Sequence, residues 1–95
     1  MRIRLTSRAY NELEQISEYI SERDPRTAVA IFAVLDRIFS RLREMPYQGQ
    51  TTDVPSVRCL VVSQFPYKVF YRVAGDTIEV LSIFHTSQNP DGMPE

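Results

Sequence analysis

Metal and disulfide chemistry find little raw material in this chain. It has one cysteine, Cys59, and one histidine, His85. That excludes an internal disulfide and any multi-cysteine metal site. Three glycines in 95 residues are too few for a phosphate-cradling loop. No apolar run approaches the roughly 20 residues that cross a bilayer. The opening M-R-I-R-L-T-S-R lacks the apolar stretch of a secretory signal. A basic excess is missing too: 11 Lys and Arg face 12 Asp and Glu, a net charge of −1. That balance argues against a generic nucleic-acid binder. The expectation is a small cytoplasmic domain with no metal, no cofactor, no membrane partner and no direct sequence-specific DNA binding.

What is present reads as an ordinary globular domain, 43% hydrophobic and 24% charged. Met1, Ile3 and Leu5 alternate with Arg2 and Arg4, the period of a half-buried strand. Thr6 or Ser7 then caps a helix whose stripe is Ala9, Leu13, Ile16 and Ile20. Glu14, Glu18 and Glu22 share its solvent face, with Glu12 off that line. The stretch S-E-R-D-P-R breaks it, and Asp24-Pro25 starts a second helix. That helix carries Ala28, Ile31, Leu35, Ile38 and Leu42 on one stripe, with Phe32 and Phe39 widening it. So short a turn predicts an antiparallel helical hairpin.

Residues 46–56 read as a loop, and strands are predicted at 57–62, 67–73 and 77–84. If Gly75-Asp76 forms the tip of the last hairpin, Val73 faces Ile78, Tyr71 faces Val80 and Arg72 faces Glu79. The expected fold is α+β with order β-α-α-β-β-β, the helical hairpin covering one face of a small, mostly antiparallel sheet. A single domain spans residues 1–90, with 91–95 as a flexible tail.

Arg58, Lys68, Arg72 and His85 come from three strands, with Tyr67 and Tyr71 interleaved. Such a set could hold a phosphate backbone or supply acid, base and electrophile for metal-free RNA cleavage. The plain alternative is the wet face of a sheet whose other face is core.

The run R-C-L-V-V-S-Q-F-P-Y-K-V-F-Y-R-V-A-G-D-T-I-E-V-L-S-I-F-H resembles the ParE/RelE superfamily of bacterial toxins from type II toxin–antitoxin systems. The matching positions are Arg58, Pro66, Tyr67, Tyr71 and His85. Upstream, A-Y-N-E-L-E-Q-I-S-E-Y-I and L-R-E-M-P-Y-Q-G are similar to the hairpin and helix exit of the ParE branch. One departure stands out: Gln88 occupies the place where many relatives carry arginine, and an amide cannot stabilise phosphate charge as a guanidinium does.

The resemblance implies one of two activities. A ParE-like chain is an inhibitory binding protein that poisons DNA gyrase and blocks replication, neutralised by a ParD-like antitoxin. A RelE-like chain is a metal-independent, ribosome-dependent messenger RNA endonuclease. The sparse basic residues after position 45 and Gln88 favour the first. No catalytic residue is assigned. Target contacts are expected among Arg58, Tyr67, Lys68, Tyr71, Arg72, His85 and Gln88. Antitoxin contacts are expected among Val29, Phe32, Arg37, Phe39 and Arg41, because the second helix carries more apolar surface than one seam buries.

Overall fold

A computed structural model describes residues 1–86. Gln88 and the proposed tail at 91–95 lie outside the described residues. The order is β1 (Arg2–Leu5), α1 (Ser7–Arg23), α2 (Pro25–Glu44), β2 (Gln50–Thr51), β3 (Arg58–Val61), β4 (Tyr67–Ala74) and β5 (Thr77–His85). The five strands lie in the order β1-β5-β4-β3-β2, with β1 parallel to β5 and every other pair antiparallel. Two helices pack on this mixed sheet, which is the expected α+β architecture. The expected loop at 46–56 contains the two-residue strand β2, because Gln50 and Thr51 reach pairing distance of Cys59 and Arg58.

Local chemistry explains the elements. Thr6 caps α1 by accepting the Ala9 N–H, while its own hydroxyl donates to the Leu81 carbonyl at 3.2 Å. One residue, Asp24, serves both helices. Its N–H closes α1 on the Ile20 carbonyl, and its carboxylate caps α2 by accepting from Arg26, Thr27 and the Thr27 hydroxyl. Pro25 then sits at the first turn, where no N–H is needed. The break between the helices is therefore shorter than S-E-R-D-P-R suggested. Met45 ends α2 because residues before proline avoid helical backbone.

The β4–β5 hairpin has the expected register: Val73 opposite Ile78, Arg72 opposite Glu79 and Tyr71 opposite Val80. Gly75 at its tip has φ 63°, a conformation that suits glycine. The register shifts farther along: Phe70 pairs with Ser82, so Leu81 is an extra residue, a β-bulge. The shift lets Val80 and Ile83, three positions apart, enter the same core with Ala9, Ile31, Leu35 and Val69. A second cluster joins Leu42, Tyr71 and Ile78.

The other sheet face is not simply wet, as the sequence suggested. Phe70 and Phe84 stack at 5.4 Å and are buried with Val57 in a third apolar cluster. On this same face Glu79, 7% exposed, lies between Arg4 and Arg72, both of which pair with it.

Past Val80, β5 has no β1 neighbour, and α1 takes over its edge. Glu12 accepts from the Ser82 hydroxyl at 2.9 Å and the Ile83 N–H at 3.1 Å. A carboxylate thus substitutes for a missing strand.

Candidate functional site

The expected polar set does not share a face. Along β4, Tyr67, Val69, Tyr71 and Val73 alternate with Lys68, Phe70 and Arg72. Direct pairing places Arg58 beside Tyr71 and His85 beside Tyr67, toward the helices. Lys68 and Arg72 point to the opposite face with Phe70. The interleaving expected from the sequence is corrected by the pleat itself.

Burial changes the roles further. Tyr71 is 0% exposed and Tyr67 5%, so neither ring is open to a macromolecular target. The Tyr71 hydroxyl accepts the Gly49 N–H at 2.8 Å. Arg58 donates to the carbonyls of Tyr47 at 3.1 Å and Gly49 at 2.8 Å. These two residues lock the loop after α2 from below. Gly49 is needed there, since a Cβ would lie 2.6 Å from the Tyr71 hydroxyl oxygen. The glycine of L-R-E-M-P-Y-Q-G therefore has a physical cause: it admits a buried phenol.

His85 is half-buried and meets Tyr67 edge-on at 5.3 Å. Both lie beside Tyr19 in an open groove of about 510 Å³ between α1 and the end of β5. Burial pushes the phenols of Tyr67 and Tyr71 above the ordinary tyrosine value, so both stay protonated at neutral pH. Burial likewise raises the Cys59 thiol, which makes it a poor nucleophile. Among the described residues, no group of three His, Cys, Asp or Glu side chains is placed to hold a metal ion. None of the described helices is long and apolar enough to cross a membrane.

The antitoxin candidates also divide. Val29 is 70% exposed, whereas Phe32 and Phe39 are half-buried and packed against the core. Arg37 and Arg41 are exposed and line a groove of about 220 Å³ with Val34 and Ile38, facing Val61 on β3. Val61 is 61% exposed, and β2 pairs only with Arg58 and Cys59. The outer edge of Leu60 and Val61 is thus left open among the described residues.

Sequence reasoning assigned Glu12 no role and marked Gly49 only as the last residue of L-R-E-M-P-Y-Q-G. Glu12 did leave a signal, because it falls off the Glu14–Glu18–Glu22 line and beside the apolar stripe. Nothing local announced that Gly49 would meet a tyrosine 22 positions away.

Comparison with known proteins agrees with this architecture. A solved structure described as a chromosomal ParDE TA system from P. aeruginosa superposes with a TM-score of 0.78. It is 25% identical, and the match covers 90% of this chain and 95% of that one. The protein Y4kP of Sinorhizobium fredii (strain NBRC 101917 / NGR234) is 36% identical over 87 residues, 92% of this chain and 90% of its own. Toxin RelE1 of Caulobacter vibrioides (strain ATCC 19089 / CIP 103742 / CB 15) is 29% identical over 80 residues, 82% of this chain and 85% of its own. The profile of the family described as the ParE toxin of type II toxin–antitoxin systems, parDE, matches residues 3–90. With that match over nearly its whole length, the chain belongs to the ParE toxin family of type II toxin–antitoxin systems.

Proposed function

We propose that this toxin acts in the cytoplasm as an inhibitory binding protein directed at DNA gyrase, blocking replication without bond-breaking chemistry of its own. The observation that carries this reading is the dispersal of the polar set. Phosphodiester cleavage needs a base, an acid and a charge stabiliser converging within hydrogen-bond reach of one phosphate. Here Arg58 is engaged with two loop carbonyls, Tyr71 is sealed in the core, and Lys68 and Arg72 stand on the other face. Arg72 is also held by an ion pair with Glu79 at 2.7 Å. Such a surface is a poor cradle for RNA. A ribosome-dependent nuclease remains the competing reading. The test is purified toxin with gyrase and plasmid DNA, scored for loss of supercoiling and trapped cleavage. Ribosome-dependent transcript cleavage with gyrase unaffected would sink the proposal.

Neutralisation is assigned to a ParD-like antitoxin docked on α2. Val29 offers exposed apolar surface, and Arg37 and Arg41 line a groove that suits acidic side chains. The open edge at Leu60–Val61 can accept an added strand. Val29→Asp combined with Arg37→Glu and Arg41→Glu should weaken the complex, and unchanged affinity would remove this surface from the reading. Phe32 and Phe39 support the core as well, so substitutions there would confuse binding with folding.

A further inference from the structure

The loop joining α2 to β2 is held more firmly than a connection requires. Met45 caps α2 through its N–H on the Arg41 carbonyl at 2.8 Å, and the Gln48 N–H reaches the Met45 carbonyl at 3.3 Å. Tyr71 takes the Gly49 N–H from inside the core. Arg58 donates to two loop carbonyls, and its guanidinium carbon lies 5.2 Å from the centre of the Tyr47 ring. Ordering a loop costs conformational entropy. Yet the two large side chains that it carries bury little, with Met45 58% exposed and Tyr47 63% exposed. The fold thus invests a buried tyrosine and an arginine in presenting a methionine and a tyrosine to solvent.

We infer that this loop is the surface that grips the toxin's cellular target, with Tyr47 and Met45 entering an apolar recess on a protein whose rim is acidic. The inference rests on the target-inhibitor reading above and names its contact. Tyrosine and arginine dominate binding hot spots, and anchors fixed beforehand lose little entropy on binding. Charge fits as well. Arg58 contacts the loop, and Arg43 comes just before it in the last turn of α2, next in sequence to one carboxylate, Glu44. Among the described residues, Arg43 forms no ion pair. A protein partner fits better than a nucleic acid, because the chain's net charge is −1 and Met45 is a packing group. The loop also stands apart from the antitoxin groove, whose lining includes neither Met45 nor Tyr47. One chain can therefore address two partners through separate surfaces.

The experiment induces wild type, Tyr47→Ala and Met45→Ser at matched protein levels and scores growth arrest. Antitoxin affinity and melting temperature are measured on the purified variants. Because both side chains are mostly exposed, the variants should melt near wild type and keep antitoxin affinity within about twofold. Toxic potency should fall at least roughly tenfold, the loss expected when a hot-spot side chain is truncated. Tyr47→Ala as toxic as wild type would overturn the inference alone. So would a parallel loss of antitoxin binding, which would make the loop part of that interface. A wild-type chain that arrests nothing would remove the underlying reading, and the inference with it. Retention of a labelled DNA duplex or RNA hairpin by wild type but not by Tyr47→Ala would overturn the choice of a protein partner.

Discussion

Removing one oxygen atom from the core tests whether the loop after α2 is held from inside the fold. Tyr71→Phe keeps the ring, which is 0% exposed, and deletes the acceptor of the Gly49 N–H at 2.8 Å. A buried donor left without a partner costs about 1–3 kcal/mol. Taking about 2 kcal/mol, a domain of this size should melt about 8–16 °C lower. Gly49→Ala attacks the same contact from the other side. Its Cβ would stand 2.6 Å from the hydroxyl oxygen, 2.8 Å from Cε1 and 3.0 Å from Cζ of Tyr71. Overpacking of that kind costs about 1–3 kcal/mol. The two changes should not add. Tyr71→Phe removes the nearest of the three clashes while leaving the ring carbons, so the double variant should be less destabilised than the sum by at least about 0.5 kcal/mol. Urea denaturation followed by circular dichroism measures all four proteins, and equal slopes would show that the unfolded reference is unchanged. A Tyr71→Phe effect below about 0.5 kcal/mol, or strict additivity, would refute the reasoning.

Three further outcomes are expected. Glu12→Ala should destabilise by about 1–3 kcal/mol, because Ser82 and Ile83 both lose an acceptor at an edge that no strand covers among the described residues; Glu12→Gln, which keeps one acceptor oxygen, should cost visibly less, and equal losses would contradict this account. Stability should also depend on pH in two windows. The Asp24 carboxyl is held below the usual carboxylate range, first by the Thr27 hydroxyl and then by backbone N–H groups. Its contribution is present above the unfolded value near 4 and is lost as the pH falls through the folded value, so the gap to Asp24→Ala should close in acid. Tyr67 and Tyr71 are raised by burial, so stability should decline above about pH 10, where unfolded tyrosines ionise and folded ones do not. A flat melting temperature across either window would contradict the assignment. Finally, His85→Ala should reduce toxicity only mildly through lost packing on Tyr67. A loss of about 10²- to 10⁴-fold at unchanged melting temperature would revive the nuclease reading.

Much of the architecture was written in local pattern. The apolar spacing of Ala28, Ile31, Leu35, Ile38 and Leu42 declared a helix stripe, and all but the half-buried Ile38 are buried. Asp24-Pro25 announced a helix start, and Ala74-Gly75-Asp76 carried the hairpin register. These signals are legible because capping, turn geometry and 3.6-residue periodicity act over a few neighbouring residues. Even the separation of Tyr67 and Tyr71 from Lys68 and Arg72 follows from strand alternation alone, once the pleat is applied to the polar set. Tertiary structure decided what depends on residues far apart in the chain. The parallel β1–β5 pairing and the capping of β5 by Glu12 join segments separated by other elements, and the two-residue β2 exists only through its pairing with β3. The roles of Arg58 and Tyr71 belong there too. In the sequence they are a cation and a phenol available to a target. In the fold they are committed to the backbone of Tyr47 and Gly49, because a buried donor or acceptor must find a partner wherever the chain brings one within about 3 Å.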